Sequence, residues 1–169
     1  LDVTIIGYKV FTGTSHDTLT AGTAGLTVND HTATIAIIEG YGSIGASAFQ
    51  GASSLTSITI PDSVTSIGSY AFGSASSLTS ITIPNTVTSI GDNAFKRASS
   101  LTSIEIPASV ISIGSGAFRQ ATGLETVKFE ENSELTSIGS YAFQSSGLTS
   151  ITLPNSLESI GEYAFYLAE

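Results

Sequence analysis

A six-residue phrase, Ile-Gly-x-x-Ala-Phe, begins at residues 44, 67, 90, 113, 138 and 160. The first four starts are 23 residues apart, the next step is 25 and the last is 22. A fixed period in the twenties constrains a fold strongly. It belongs to chains that wind one supersecondary unit per period and stack the units on one another. Such a unit cannot bury its apolar face alone and takes its stability from the neighbour on each side.

The remainder of the unit repeats as well. Each Phe is followed by Leu55, Leu78, Leu101, Leu124 or Leu148. Each of these opens a phrase of the form Leu-Thr-Ser-Ile-Thr-Ile-Pro, present unchanged at 55–61 and 78–84 and drifting at 101–107 and 148–154. The most divergent copy, at 124–129, reads Leu-Glu-Thr-Val-Lys-Phe and lacks the proline. A second apolar phrase follows, as at Val64 and Ile67 or Val87 and Ile90.

These letters describe one turn of a coil. In the 55–61 copy, Leu55, Ile58 and Ile60 point inward from a short strand, with Ser57 and Thr59 outward. β-Branched Ile and Thr favour that conformation, and Pro61, with no amide hydrogen, ends its pairing. Val64 and Ile67 start a second extended stretch, and Gly68 supplies a backbone turn. Ser69, or Asp92 in the next copy, caps a short helical turn, and Phe72 fills the centre. Each unit buries about six apolar side chains at roughly 1.5–3 kcal/mol each. Equivalent residues of stacked turns lie about 4.8 Å apart, so Phe49, Phe72, Phe95, Phe118, Phe143 and Phe165 form one internal column. The two-residue insertion falls at 130–134 and the one-residue deletion at 144–147, both in connecting turns, where length changes are tolerated.

Residues 1–34 fit the consensus poorly and read as an N-terminal cap or degenerate repeats, with repeats over 35–169: five full units and a partial C-terminal one. Counting back 23 residues places Ile35 and Ile37 in register with Ile58 and Ile60, and places 21–26 as a degenerate copy of 44–49. Val3, Ile5, Ile6, Tyr8, Val10 and Phe11 indicate one or two further strands. The chain opens without Met at Leu1 and stops inside a repeat, which points to a leader or upstream domain outside it or to an unusually short tail, and its open C-terminal edge is a surface available for self-association.

The repeating pattern resembles the BspA-like, or Treponema-type, leucine-rich repeats over residues 44–165. The resemblance implies a leucine-rich-repeat solenoid of the α/β type, mostly β, with short parallel strands and short helical turns. Family repeats commonly carry a Cys three residues after the Phe, where this chain has Ala52, Ala75, Ala98 and Ala121. It also implies a secreted or surface-anchored microbial protein, active in adhesion to host or microbial surface proteins, with no catalytic residues in the motif.

Composition narrows the chemistry. Fourteen acidic residues against five basic ones, a net charge of -9, argue against nucleic acid and anionic membranes, which require clustered cations. With no Cys there is no disulfide framework or thiolate metal site, and no apolar run is long enough for a membrane span. The only histidines, His16 and His31, show no metal-ligand or triad spacing. The glycines fall about one per turn rather than in a phosphate-binding fingerprint. No catalytic, metal or cofactor residue is therefore assigned, no cofactor is expected, and the chain reads as a non-enzyme.

The binding surface is sought on the outward strand positions, because solenoids bind along an extended sheet face. Its candidates are Thr59, Thr82, Glu105, Glu125, Lys128 and Thr152, with Glu105, Glu125 and Lys128 breaking a Ser/Thr lawn. The expected function is an extracellular protein-binding or adhesion module. The alternatives are a structural spacer and a glycan-binding repeat face using Thr, Ser and Tyr, with Tyr141 and Tyr163 at equivalent positions. Lys96 and Arg119 share another column, and the acidic turn with Glu130, Glu131 and Glu134 is either a solvated corner or a calcium site.

Overall fold

The structure, a computed structural model, describes residues 8–12, 18–19 and 34–168. The chain coils through three walls per turn. The first holds β1 (Tyr8–Thr12), β3 (Ile35–Glu39), β5 (Ser57–Thr59), β8 (Ser103–Ile106) and β10 (Thr126–Phe129). The second holds the two-residue strands β2 (Thr18–Leu19), β4 (Ser43–Ile44), β6 (Ser66–Ile67), β7 (Ser89–Ile90), β9 (Ser112–Ile113), β11 (Ser137–Ile138) and β12 (Ser159–Ile160). These seven form one continuous parallel sheet in the order β12-β11-β9-β7-β6-β4-β2. The third wall carries the Ala-Phe phrase.

Six phenylalanines run through the centre as one column. Successive ring centroids are 5.2–5.3 Å apart and nearly parallel from Phe49 to Phe165, and Phe72, Phe95, Phe118 and Phe143 are fully buried. A middle turn buries Leu101, Ile104, Ile106, Val110, Ile113 and Phe118, with Ala117 and Ala121 closing the gaps.

The short helices do not form. The third wall is a chain of tight turns in which the residue before Ala-Phe is left-handed, as at Ser47, Tyr70, Asn93, Tyr141 and Tyr163. A second left-handed residue follows four positions later, as at Ser74, Arg97, Gln120 and Ser145. Alternate amides stay within their own turn, such as Ala71 to the Gly68 carbonyl at 3.2 Å. The others reach the next turn, such as Phe72 to the Ala94 carbonyl at 2.7 Å. This bonding between turns replaces the i to i−4 ladder of a helix. Asp92 likewise does not cap its own turn: its carboxylate accepts the Ser115 amide of the next one at 2.7 Å. Side-chain hydroxyls add further stitches, with Ser63, Thr86, Ser109 and Ser156 each donating to a carbonyl of the preceding turn.

Two register expectations are corrected. Ile35 and Ile37 pair with Ser57 and Thr59, and it is Ala36 that pairs with Ile58. Ala36 and Ile38 are buried while Ile35 is exposed. The corner at Glu39-Gly40 is one residue shorter than Pro61-Asp62-Ser63, so counting 23 back lands one residue off and flips the side chains to the wrong face. Leu19, rather than Ala21, lies beneath Ile44. Of the further strands expected near the N-terminus, β1 is present; Val3, Ile5, Ile6 and residues 21–26 lie outside the described residues.

The first wall is not a continuous sheet. It contains the groups β1-β3-β5 and β8-β10, with residues 79–83 and 149–153 forming no strand. Proline accounts for the pattern. Where the upper strand of a pair is not followed by proline, the ladder is long: β3 pairs with β1 over five residues and β10 with β8 over four. At Glu130, in the position held elsewhere by proline, the amide reaches the Ile106 carbonyl at 3.1 Å. Pro61, Pro84, Pro107 and Pro154 have no such amide, and the ladder below each is shortened to three residues or absent.

The two length changes lie in corners. The acidic insertion folds back on the preceding turn, with the Glu130 carboxylate accepting the Ala108 amide at 3.1 Å and the Glu134 amide donating to the Ala108 carbonyl at 2.8 Å. At the deletion, Ser146 occupies the small buried position held elsewhere by Ala75, Ala98 and Ala121, and its hydroxyl has no partner. An unsatisfied buried hydroxyl costs about 1–3 kcal/mol. Ser146→Ala is therefore expected to raise stability by about 1 kcal/mol, measured as a higher urea midpoint at unchanged slope; a lower midpoint would refute it.

Candidate functional site

The outward column of the first wall is placed as its spacing requires. Thr59, Thr82, Glu105, Lys128 and Thr152 are all exposed, and Glu125 lies exposed in the column beside them. Their inward neighbours Ile58, Ile81, Ile104 and Val127 are buried. Strand alternation fixes this, because successive side chains take opposite faces.

Glu105 and Lys128 face each other across β8 and β10 and form an ion pair, Nζ to Oε1. The pair is open to water. Lys128 is held above the ordinary lysine range, first by the hydrogen bond to Glu105 and then by that carboxylate's charge, with Glu130 and Glu131 contributing less. Because the folded-state value is raised, the pair's contribution is present throughout neutral pH and is lost as pH climbs through that raised value. Exposure and salt keep the contribution small.

A cleft lies on each side of this paired ridge. A cleft of about 760 Å³ separates β10 from residues 150–156 and is lined by Glu125, Lys128 and Glu130 on one side and by Ser150, Thr152 and Asn155 on the other. A smaller one of about 360 Å³ sits by residues 81–85 and includes Glu105 and Asp62 in its walls. Both occupy breaks in the first wall. The repeat places the outward residues but not the clefts, which open where Pro107 and Pro154 deny the neighbouring turn an amide.

The other candidates are distributed elsewhere. Tyr141 and Tyr163 stack at 5.4 Å, Arg119 covers the Tyr141 ring at 5.6 Å, and Lys96 covers Tyr70 at 5.8 Å. Lys96 and Arg119 thus engage rings on opposite sides of their shared column. Among the described residues no cluster of three His, Cys, Asp or Glu side chains is placed to hold a metal ion. His16 and His31 lie outside the described residues. Among the described residues no helix is long and apolar enough to cross a membrane. At the C-terminal end Ile160, Tyr163, Tyr166 and Leu167 are exposed.

The comparison with protein families matches a BspA type leucine rich repeat region, in six copies, to residues 42–169. The chain belongs to this family. Leucine rich repeats in general mediate protein interactions. A leucine rich cell surface protein from Faecalibacterium prausnitzii A2-165 is similar at 34% identity with a TM-score of 0.71, over 79% of this chain and 36% of that one. A T. pallidum leucine rich repeat protein is similar at 26% identity with a TM-score of 0.64, over 78% of this chain and 56% of that one. The pneumococcal vaccine antigen PcpA is similar at 25% identity with a TM-score of 0.56, over 80% of this chain and 28% of that one. This chain therefore spans between about a quarter and just over half of the length of these solved relatives. No curated protein matches it in sequence.

Proposed function

We propose that this chain is a non-enzymatic, extracellular protein-binding module that engages a host or microbial surface protein through its first wall. The observation that carries the reading is the placement of the two clefts on either side of the exposed Glu105–Lys128 pair. A ridge of charge between two concave, partly apolar breaks offers both orientation and buried area to a protein partner. The cell-surface description of the Faecalibacterium relative is consistent with an extracellular setting. Use of Tyr141 and Tyr163 as a sugar platform has less support, because one face of each ring is taken up by the other and Arg119 also covers Tyr141.

The test is a binding screen of the chain against extracellular matrix glycoproteins and intact epithelial and bacterial surfaces. Glu105→Lys and Lys128→Glu are each expected to weaken the ligand found by about tenfold, which is about 1.4 kcal/mol, while leaving the melting temperature nearly unchanged. A folded, monomeric sample that binds nothing would replace the reading with that of a structural spacer.

A further inference from the structure

We infer that the cleft between β10 and residues 150–154 takes an extended, cation-bearing peptide segment of a partner protein as an added strand. This rests on the protein-binding reading above and names its partner's chemistry. The Thr126 amide bonds to the Thr102 carbonyl and the Glu130 amide to that of Ile106. In a parallel ladder, residues whose backbones bond one neighbour alternate with residues whose backbones face the other. The amides and carbonyls of Val127 and Phe129 therefore face the cleft. Residues 149–153 repeat the strand sequence, yet none of their amides is bonded to β10. Two unpaired edges thus confront each other.

Closure is opposed by the chain itself. Pro154 lacks the amide that Glu130 uses to clamp β10 onto β8. The acidic corner is drawn towards Ala108, away from the final turn. At about 760 Å³ the cleft is within the range of ligand sites, about 300–1,000 Å³. The four residues of β10 offer an edge about 13 Å long. An extended segment would pair with the edge through its backbone and place alternate side chains on opposite sides, as in other strand-addition complexes. One set meets the half-buried Phe129, Ile151 and Leu153; the other meets the rim, where the Glu125 carboxylate lies open, Lys128 is paired with Glu105, and Glu130 accepts the Ala108 amide. That selects a segment alternating apolar and cationic residues.

The probe is a short synthetic peptide alternating lysine and valine, fluorescently labelled and titrated into the intact chain. Saturable one-to-one binding is expected. The glutamate–valine counterpart should bind at least about tenfold more weakly, because it meets the same rim with like charge. N-methylation of alternate peptide amides should also weaken binding at least tenfold, because it removes the pairing donors. Glu125→Lys, which leaves the backbone untouched, should weaken it to a similar degree. Pro154→Glu restores the clamping amide; it should protect the Val127 and Phe129 amides from exchange, preserve or raise the melting temperature, and abolish binding.

Equal affinity for the N-methylated peptide would overturn the inference. So would unchanged affinity in a Pro154→Glu chain whose cleft amides have become protected, or a dimer of this chain that occupies the cleft and excludes the peptide. A surface ligand that responds to Glu105→Lys but does not compete with the peptide would leave the protein-binding reading standing and remove strand addition. A peptide that binds as described, beside a ligand indifferent to both charge reversals, would do the reverse.

Discussion

Replacing Phe95 with alanine is expected to cost about 3–5 kcal/mol, the usual loss for a large aromatic residue cut back in a close-packed core. Phe95 has no solvent exposure, and its ring lies 5.2 Å from that of Phe72 on one side and 5.2 Å from that of Phe118 on the other. Offset stacks at this separation are favourable beyond the area they bury. The void would open between turns rather than inside one. In a solenoid, stability is close to a sum of unit terms and nearest-neighbour interfaces, so one substitution weakens two interfaces at once. Domains of this size are stable by only about 5–15 kcal/mol, which makes the loss a large fraction of the total. Urea denaturation followed by circular dichroism would measure it. The same change at Phe165, which is stacked on one side only and half-buried, should cost less than half as much. Equal losses at the two positions would show that the column does not act as a chain of neighbours.

The Phe column and the strand face were legible because inward apolar residues recur at one spacing, and the two length changes because they break that spacing. Thr59, Thr82, Glu105, Lys128 and Thr152 share a column as the repeat requires. The helices were not legible. A helical turn and a chain of left-handed turns use the same apolar letters, and Tyr70 or Arg97 does not advertise a positive φ. The error at Ile35 and Ile37 came from a fixed period applied across a corner one residue short, and a slip of one residue exchanges the two faces of a strand. Proline ends the pairing of its own strand, as the sequence indicates. Its effect on the neighbouring turn, the loss of an amide that Glu130 retains, appears only when turns are stacked. The candidate site was therefore half visible: its outward side chains follow from the repeat, whereas its clefts follow from the backbone.

Gly91→Ala is expected to cost about 3 kcal/mol or more, at or above the upper end of the range for overpacking. A Cβ at Gly91 would stand 2.7 Å from the Gly68 carbonyl carbon and 2.7 Å from the Ser69 nitrogen. Both obstacles are backbone, so no rotamer change relieves them. The Gly91 amide is also bonded to the Ile67 carbonyl at 2.8 Å, and moving the turns apart to admit a methyl group would break that bond and its neighbours. Gly91 does not have a positive φ; like Gly68, where the sequence marks a turn that a Cβ would hinder, it is required by close approach between turns and not by a left-handed conformation. Gly51 provides the contrast. Its φ is +75°, and a Cβ there would meet nothing within 4 Å. Gly51→Ala should therefore lose only the cost of a left-handed non-glycine residue, roughly 1–2 kcal/mol. Thermal and urea unfolding of the two variants would separate crowding from conformation. A Gly91→Ala chain as stable as Gly51→Ala would mean that the second wall spreads at little cost, and that the glycine column does not set the spacing of the turns.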